Sequence, residues 1–482
     1  MKSFRTLIFI PIIFNRLIRD GSVVGLGLLL GSASLILPVV AASTETKPAV
    51  ETRRPPASVF TPPIDPAKVA RPTGPLTVKD CYQLAVIRSE TLGLREQDVK
   101  QAQALYWQSV GSILPNIHLL SSQGLQNGGG TPSGPASGRD NAFYSAVNVK
   151  QPIFRGFGDI YAASANKADI ETRRYDRERT FQTLYLDTAT VYYQILGYQS
   201  DLEVLAQLQK ALEERITELD RRIKIGRSKR SELLLAQTTL AQTKVAVEQV
   251  KGLLAATKEM MAFLIGWPSS QITLAPEGPL PTSAVLENYL TEAGVRADIL
   301  AQLANMRAET KRLSVARAAR SPQFSFEGNY FTVQDPKAPG DWNMFIVCDL
   351  PLFDGTIEPR ISQQKAVVRS SELNLEQLRR TTDREVRTAY LNFNTSISEF
   401  ARLKETEEFA AENYAAQMSD YQLGRVTNLD VLDALQRLHT ARRDSVGADA
   451  DARINLVRLH VAAGKLSPGI TPQPVSAKAG QP

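Results

Sequence analysis

The chain states one pattern of landmarks twice, and that repetition limits the folds open to it more than any other feature. Gly226 opens the run Gly226-Arg227-Ser228-Lys229-Arg230-Ser231-Glu232-Leu233, and Gly424, 198 positions on, opens Gly424-Arg425-Val426-Thr427-Asn428-Leu429-Asp430-Val431. Gly266 and Gly464, each closing a helical run, share the offset of 198. Gln151-Pro152-Ile153-Phe154 corresponds to Leu350-Pro351-Leu352-Phe353 at 199, and Leu114-Pro115 to Ser321-Pro322 at 207. The same order in both halves means one structural unit duplicated, with most of the length difference in a single loop. Solenoids need several short repeats, so two long copies read instead as two halves of one wall.

The ends of the chain bound this unit. Lys2, Arg5, Arg16 and Arg19 precede an apolar run from Val23 to Val40, and Val40-Ala41-Ala42 supplies small residues for cleavage. Residues 1–42 therefore read as a secretory signal peptide, with an uncleaved anchor as the competing reading. Removing them lowers the formal charge from +6 to about +3. No block of Lys and Arg interleaved with aromatics is present, so no nucleic-acid partner is expected. Residues 43–75 form a Pro-rich extension. The first repeat spans 76–280, the second 290–466, and 467–482 form a flexible tail. Cys81 and Cys348, the only cysteines, lie 267 residues apart in elements of different type, and no disulfide is expected between them. Beyond the signal, no stretch of about 18 consecutive apolar residues follows, so any membrane crossing has to be a β-barrel.

Within each repeat a helical segment ends at a proline and a pair of strands follows. The expected strands are Asn116–Gln126 and Asn141–Gln151 in the first copy, Gln323–Thr332 and Trp342–Leu350 in the second. Gly128-Gly129-Gly130 and their neighbours separate the first pair. Phe324, Phe326 and Tyr330 alternate with Gln323, Ser325, Glu327 and Asn329. Trp342, Met344 and Ile346 alternate with Asn343, Phe345 and Val347, and Phe143, Val147 and Val149 oppose Tyr144, Asn148 and Lys150. Nine to eleven residues with one apolar and one polar face suit a transmembrane barrel strand, and also a soluble sheet with one wet face.

Two long helical stretches come next, Phe154–Lys224 and Phe353–Leu423, of 71 residues each. Each turns at its Gly-Arg pair and returns. Along the first return, Leu233, Ala236, Leu240, Thr243, Val247, Val250, Leu254, Thr257, Met261 and Leu264 are spaced alternately by 3 and 4. That is a coiled-coil seam. The seam after Val431 is looser and richer in alanine, which predicts closer helix approach.

The ordered set of helix, strand pair, very long helix, Gly turn and returning helix, present twice over residues 76–466, resembles the TolC-like outer membrane efflux protein family. The resemblance implies a mainly α fold with a transmembrane β-barrel. Three identical chains would each give four strands to a 12-stranded barrel, continued by a long α-helical periplasmic tunnel. It implies no enzyme and no cofactor. It also implies a passive outer membrane channel of a tripartite efflux or type I secretion system, whose partners are a periplasmic adaptor, an inner membrane pump of RND or ABC type, and outer membrane lipid. Phe143, Val147, Phe324, Phe326, Tyr330, Trp342, Met344 and Ile346 would face that lipid.

The family's inner periplasmic gate is similar to Tyr421 with Asp430 and Asp433, where a tyrosine ties neighbouring helices and two aspartates ring the pore. Ser231 and Glu232 match the polar partners of that tyrosine and of the family's arginine. That arginine stands two residues after the glycine in the family, whereas here the position is Val426 and the arginine is Arg425. Helix capping by Thr427 or Asn428 and the helix dipole account for both aspartates without any pore. The resemblance also places adaptor docking at Gly226, Arg227, Gly424 and Arg425, where a helix-ending left-handed glycine is equally expected.

No catalytic constellation is legible. His118, His439 and His460 have no metal-ligand spacing, and no nucleophile elbow or phosphate-cradling loop occurs. An exported coiled-coil structural or adhesive protein without a pore shares the signal and the helices, but leaves the four alternating strands unexplained.

Overall fold

The computed structural model describes residues 74–125, 141–280, 284–333 and 340–466. These belong to the unit Thr61–Pro482, and the other unit, Met1–Phe60, lies outside the described residues. So do the signal peptide, nearly all of the Pro-rich extension, the Gly128–Gly138 connection and the tail.

The duplication is visible element by element. The first copy runs α1 (Val78–Arg88), α2 (Glu90–Gly111), β1 (Asn116–Leu125), β2 (Asn141–Arg155), α3 (Gly158–Lys224) and α4 (Arg230–Ile265). The second runs α5 (Leu286–Ala293), α6 (Ala297–Ala318), β3 (Gln323–Val333), β4 (Trp342–Asp349), α7 (Ile357–Gln422) and α8 (Asn428–Ala462). The helical segment expected without interruption from Leu76 breaks at Ser89, which ends α1 and caps α2 by accepting the amide of Leu92. The strand expected to stop at Gln151 continues to Arg155. Pro152 is tolerated there because pairing with β1 has ended at Asn116 opposite Lys150, and the ladder with β3 shifts register at the proline.

Both long helices therefore start later than the sequence pattern suggests, and by different devices. In the first copy Gly156 and Phe157 take left-handed conformations in succession, turning the chain from β2 into α3. Phe157 is held there by edge-on contact with Phe154, ring centroids 5.1 Å apart. In the second copy Asp354 accepts from the amide and hydroxyl of Thr356 at 2.8 and 2.7 Å, an Asx turn that leads into α7.

At 67 and 66 residues, α3 and α7 each extend about 100 Å. α4 returns along α3 with the expected seam inward; Ala236, Thr243, Val250 and Met261 are buried. α8 packs on both α3 and α7, which explains its alanine content: a methyl on Gly197 of α3 would stand 3.2 Å from Ala450 Cβ. The carbonyls at the end of α8 are met by Arg179 on Val461, Arg296 on Ala462 and Gln182 on Gly464, at 2.8 to 3.0 Å. The main core gathers Tyr82, Tyr185, Tyr192, Ile195, Met261 and Ile265 beside the short bridge between Leu76 and Leu274.

The Gly156 junction yields a test. A methyl at this position, φ +60°, would lie 2.5 Å from Ser321 Cβ and 2.8 Å from the Ala318 carbonyl oxygen. Gly156→Ala should destabilise by about 2 kcal/mol and lower the thermal midpoint, while Gly355→Ala, with open space around it, stays near wild type. Equal midpoints for the two variants would refute the close approach.

Candidate functional site

Four strands form one antiparallel sheet in the order β1-β2-β3-β4. Register places Ile117 and Leu119 beside Val149 and Val147, these beside Gly328 and Tyr330, and Tyr330 beside Trp342. Met344 and Ile346 continue the same face opposite Gly328 and Phe326. Trp342 is 62% and Ile346 74% exposed in the single chain. The opposite face carries a row of asparagines: Asn148 donates to Asn329 at 2.8 Å, and Asn329 to Asn343 at 2.9 Å. Lys150 pairs with Glu327 one register step away, at 2.5 Å. Seven of the eight residues expected on the apolar face are thus described; the side chain of Phe143 is not. Ile117 and Leu119 join them, and were missed because alternation in β1 is blurred by Leu120.

At the far ends of the helices, Gly226 and Gly424 adopt left-handed conformations with φ of 73° and 74°. Each turn closes with two backbone bonds, from Gly226 to Ile223 and Arg227 to Arg222, and from Gly424 to Tyr421 and Arg425 to Asp420. These are Schellman-type helix ends, and both glycines stand in open space. The two turns are neighbours through a shared cluster of Leu212, Leu219, Ala236, Leu432 and Leu435.

Tyr421 is buried, and its partners within the chain differ from those the resemblance implied. Arg215 and Arg222 of α3 lie over its ring at 3.9 and 4.5 Å from the centroid. Glu218 binds both arginines at 2.6 Å, and Arg215 Nε donates to Asn428 Oδ1 at 2.6 Å. Arg215 is 5% and Asn428 1% exposed. This clamp ties α3 to the end of α7 and the start of α8. Tyr421 makes no bond to Ser231 or Glu232: Ser231 is exposed, and Glu232 accepts locally from Ser228 at 2.8 Å. A signal for the clamp was present. Leu208, Leu212, Arg215, Leu219 and Arg222 alternate spacings of 4 and 3, so two cations occupy apolar seam positions of α3.

Asp430 and Asp433 are exposed on α8 and each has a local partner. Asp430 forms a capping box with Thr427, accepting its amide at 2.8 Å and its hydroxyl at 2.6 Å. These bonds hold its carboxyl below the ordinary value, so their stabilisation is present above that value and lost as pH falls through the lowered one. Asp433 accepts from Arg437 at 2.8 Å, and Arg425 pairs with Asp420 at 3.4 Å. Among the described residues no helix is long and apolar enough to cross a membrane, and no His, Cys, Asp and Glu group has metal-site geometry.

A four-stranded sheet with one apolar and one polar face, continued by two long helical hairpins, is the architecture of an outer membrane channel subunit. The family model for outer membrane efflux proteins matches residues 81–266 and 293–465, and the chain belongs to that family. Outer membrane protein TolC of Vibrio cholerae is 22% identical over 377 residues, spanning 74% of this chain and 84% of the relative. Cation efflux system protein CusC of Escherichia coli K12 is 21% identical over 413 residues, spanning 80% and 86%. The crystal structure of outer membrane protein VceC of Vibrio cholerae aligns with a TM-score of 0.72 at 17% identity, covering 80% of this chain and 96% of that one. The chain is an outer membrane efflux channel whose strands enter a trimeric barrel and whose helices form a periplasmic tunnel.

Arg215→Met should free Tyr421 and weaken the α7–α8 turn by about 3 kcal/mol, on the order of a hundredfold in local opening. Hydrogen exchange of the amides from 419 to 428 reads this directly. Exchange as slow as wild type would show that the arginine clamp does not hold the turn.

Proposed function

We propose that three copies of this chain form the outer membrane conduit of a tripartite assembly, and that solutes or proteins leave through it passively. The observation that carries this reading is the sheet: Ile117, Leu119, Val147, Tyr330, Trp342, Met344 and Ile346 on one face, the Asn148-Asn329-Asn343 row on the other, and both edges unpaired among the described residues. The apolar face meets lipid and the asparagine row lines the lumen. Energy comes from an inner membrane pump of RND or ABC type, coupled by a periplasmic adaptor that docks at Gly226, Arg227, Gly424 and Arg425.

The closed gate lies at the second turn. Tyr421 is fixed by Arg215 and Arg222, while Asp430 and Asp433, exposed on one side of α8, supply six carboxylates around the axis of a trimer. Ser231 and Glu232 stand in the first turn of the neighbouring α4 and border the same tip. Opening moves α7 and α8 outward as the arginines release the tyrosine, a two-state rearrangement biased by the adaptor.

The gate is tested in planar bilayers. Asp433→Asn removes pore charge without touching the capping box, and Asp430→Asn removes the rest. The double variant should lose cation preference severalfold and resist block by multivalent cations. Selectivity equal to wild type would remove both aspartates from the gate.

A further inference from the structure

The two turns are built on the same backbone and carry opposite charge. Residues 220–232 hold six cations, Arg221, Arg222, Lys224, Arg227, Lys229 and Arg230, against Asp220 and Glu232. The matching residues 418–430 hold Arg425 against Asp420 and Asp430. Two of the six cations are used within the protein: Arg222 in the tyrosine clamp, and Lys224 in a 2.7 Å pair with Asp220. Arg221, Arg227, Lys229 and Arg230 are exposed and form no ion pair among the described residues.

Helix physics accounts for only part of this. Cations in the last turn of α3 complement the negative end of its dipole. Lys229 and Arg230 stand at the opposite kind of end. They are the N-cap and first residue of α4, where positive charge opposes the dipole and lysine makes no side-chain cap bond. The corresponding positions of the second turn are Thr427 and Asn428, and there the threonine completes a capping box with Asp430. The first turn therefore gives up a cap, faces an opposed dipole and holds four unpaired cations close together. Every one of these features lowers its own stability. The exposed Ile225 and the open space over Gly226 leave the turn approachable by another backbone.

We propose that the α3–α4 turn is an electropositive docking tip for an acidic surface on the periplasmic adaptor, and that it, rather than the α7–α8 turn, supplies the attraction. The inference rests on the adaptor reading given above and adds the chemistry of the partner. In a trimer three such tips alternate with three locally neutralised ones, so the acidic partner surface is captured at every second position around the ring. Exposed charges of this kind act on the association rate and its salt dependence.

The test uses detergent-extracted trimers of the full chain and the purified periplasmic adaptor from the same genome. Wild type should associate with a rate that falls steeply between low salt and about 0.5 M. Lys229→Glu with Arg230→Glu should slow association about tenfold at low salt and flatten that dependence. Both side chains are exposed and unpaired, so trimers should form normally. An adaptor variant with its tip carboxylates changed to lysine should bind the reversed turn better than wild type. Wild-type binding with the reversed turn unchanged in rate and salt slope would overturn this proposal and leave the adaptor reading standing. No binding by wild type under any condition would overturn the adaptor reading itself. Binding of wild type to phosphatidylglycerol vesicles, lost on reversal while adaptor binding is kept, would assign the tip to a membrane surface and overturn the proposal.

Discussion

The fold depends on an edge problem. A four-stranded antiparallel sheet in the order β1-β2-β3-β4 leaves, among the described residues, one side of β1 and one side of β4 with unpaired backbone groups. In hydrocarbon each unsatisfied group costs several kcal/mol, and no water is present to relieve it. Closure with further copies of the same chain would remove both edges at once, by pairing β4 of one copy with β1 of the next. The helices inherit the same requirement. α4 packs on α3, and its other flank exposes Val245, Leu253, Met260 and Phe263; α7 likewise exposes Leu373, Leu391 and Phe409.

The duplication supplies the parts for that closure but not identical parts. The link from strand to helix must turn the chain sharply in both copies. The first copy does so with two left-handed residues, Gly156 packed against Ser321 and Ala318 and Phe157 against Phe154, the second with an Asx turn at Asp354. The first solution is sterically tight and the second is open.

Much of this was legible in the amino-acid sequence because it rests on local rules. Positive φ at Gly226 and Gly424, the seam from Leu233 to Leu264, and the alternation from Phe324 to Ile346 each follow from short-range geometry. What escaped depends on tertiary context. Ser89 interrupts a pattern that stays helical on both sides, and Pro152 is admitted to β2 only because β1 ends beside Lys150. The contacts of the α7–α8 turn were not legible. Asp430 is spoken for by Thr427, and Tyr421 by Arg215 and Arg222, some two hundred residues away in sequence. In a 67-residue helix bearing charge on nearly every turn, only the heptad register marks which cations face inward.

Two turns that share a backbone have thus been given different work. The second invests in cohesion: a capping box, a buried tyrosine under two guanidiniums, and carboxylates already paired within the helix. The first keeps the left-handed glycine and discards the cap, leaving cations without partners. If the turns were alike, strengthening adaptor contact would also tighten the gate, since one set of side chains would serve both. Under the proposed reading, separate roles would let the partner hold the channel by the α3–α4 turn while the α7–α8 turn moves. Arg215 and Arg222 link the two turns, because they belong to the helix that ends in the α3–α4 turn and they lie over Tyr421 at the end of α7. The two turns therefore share one helix end, and on the proposed reading a displacement of the first would reach the second through it.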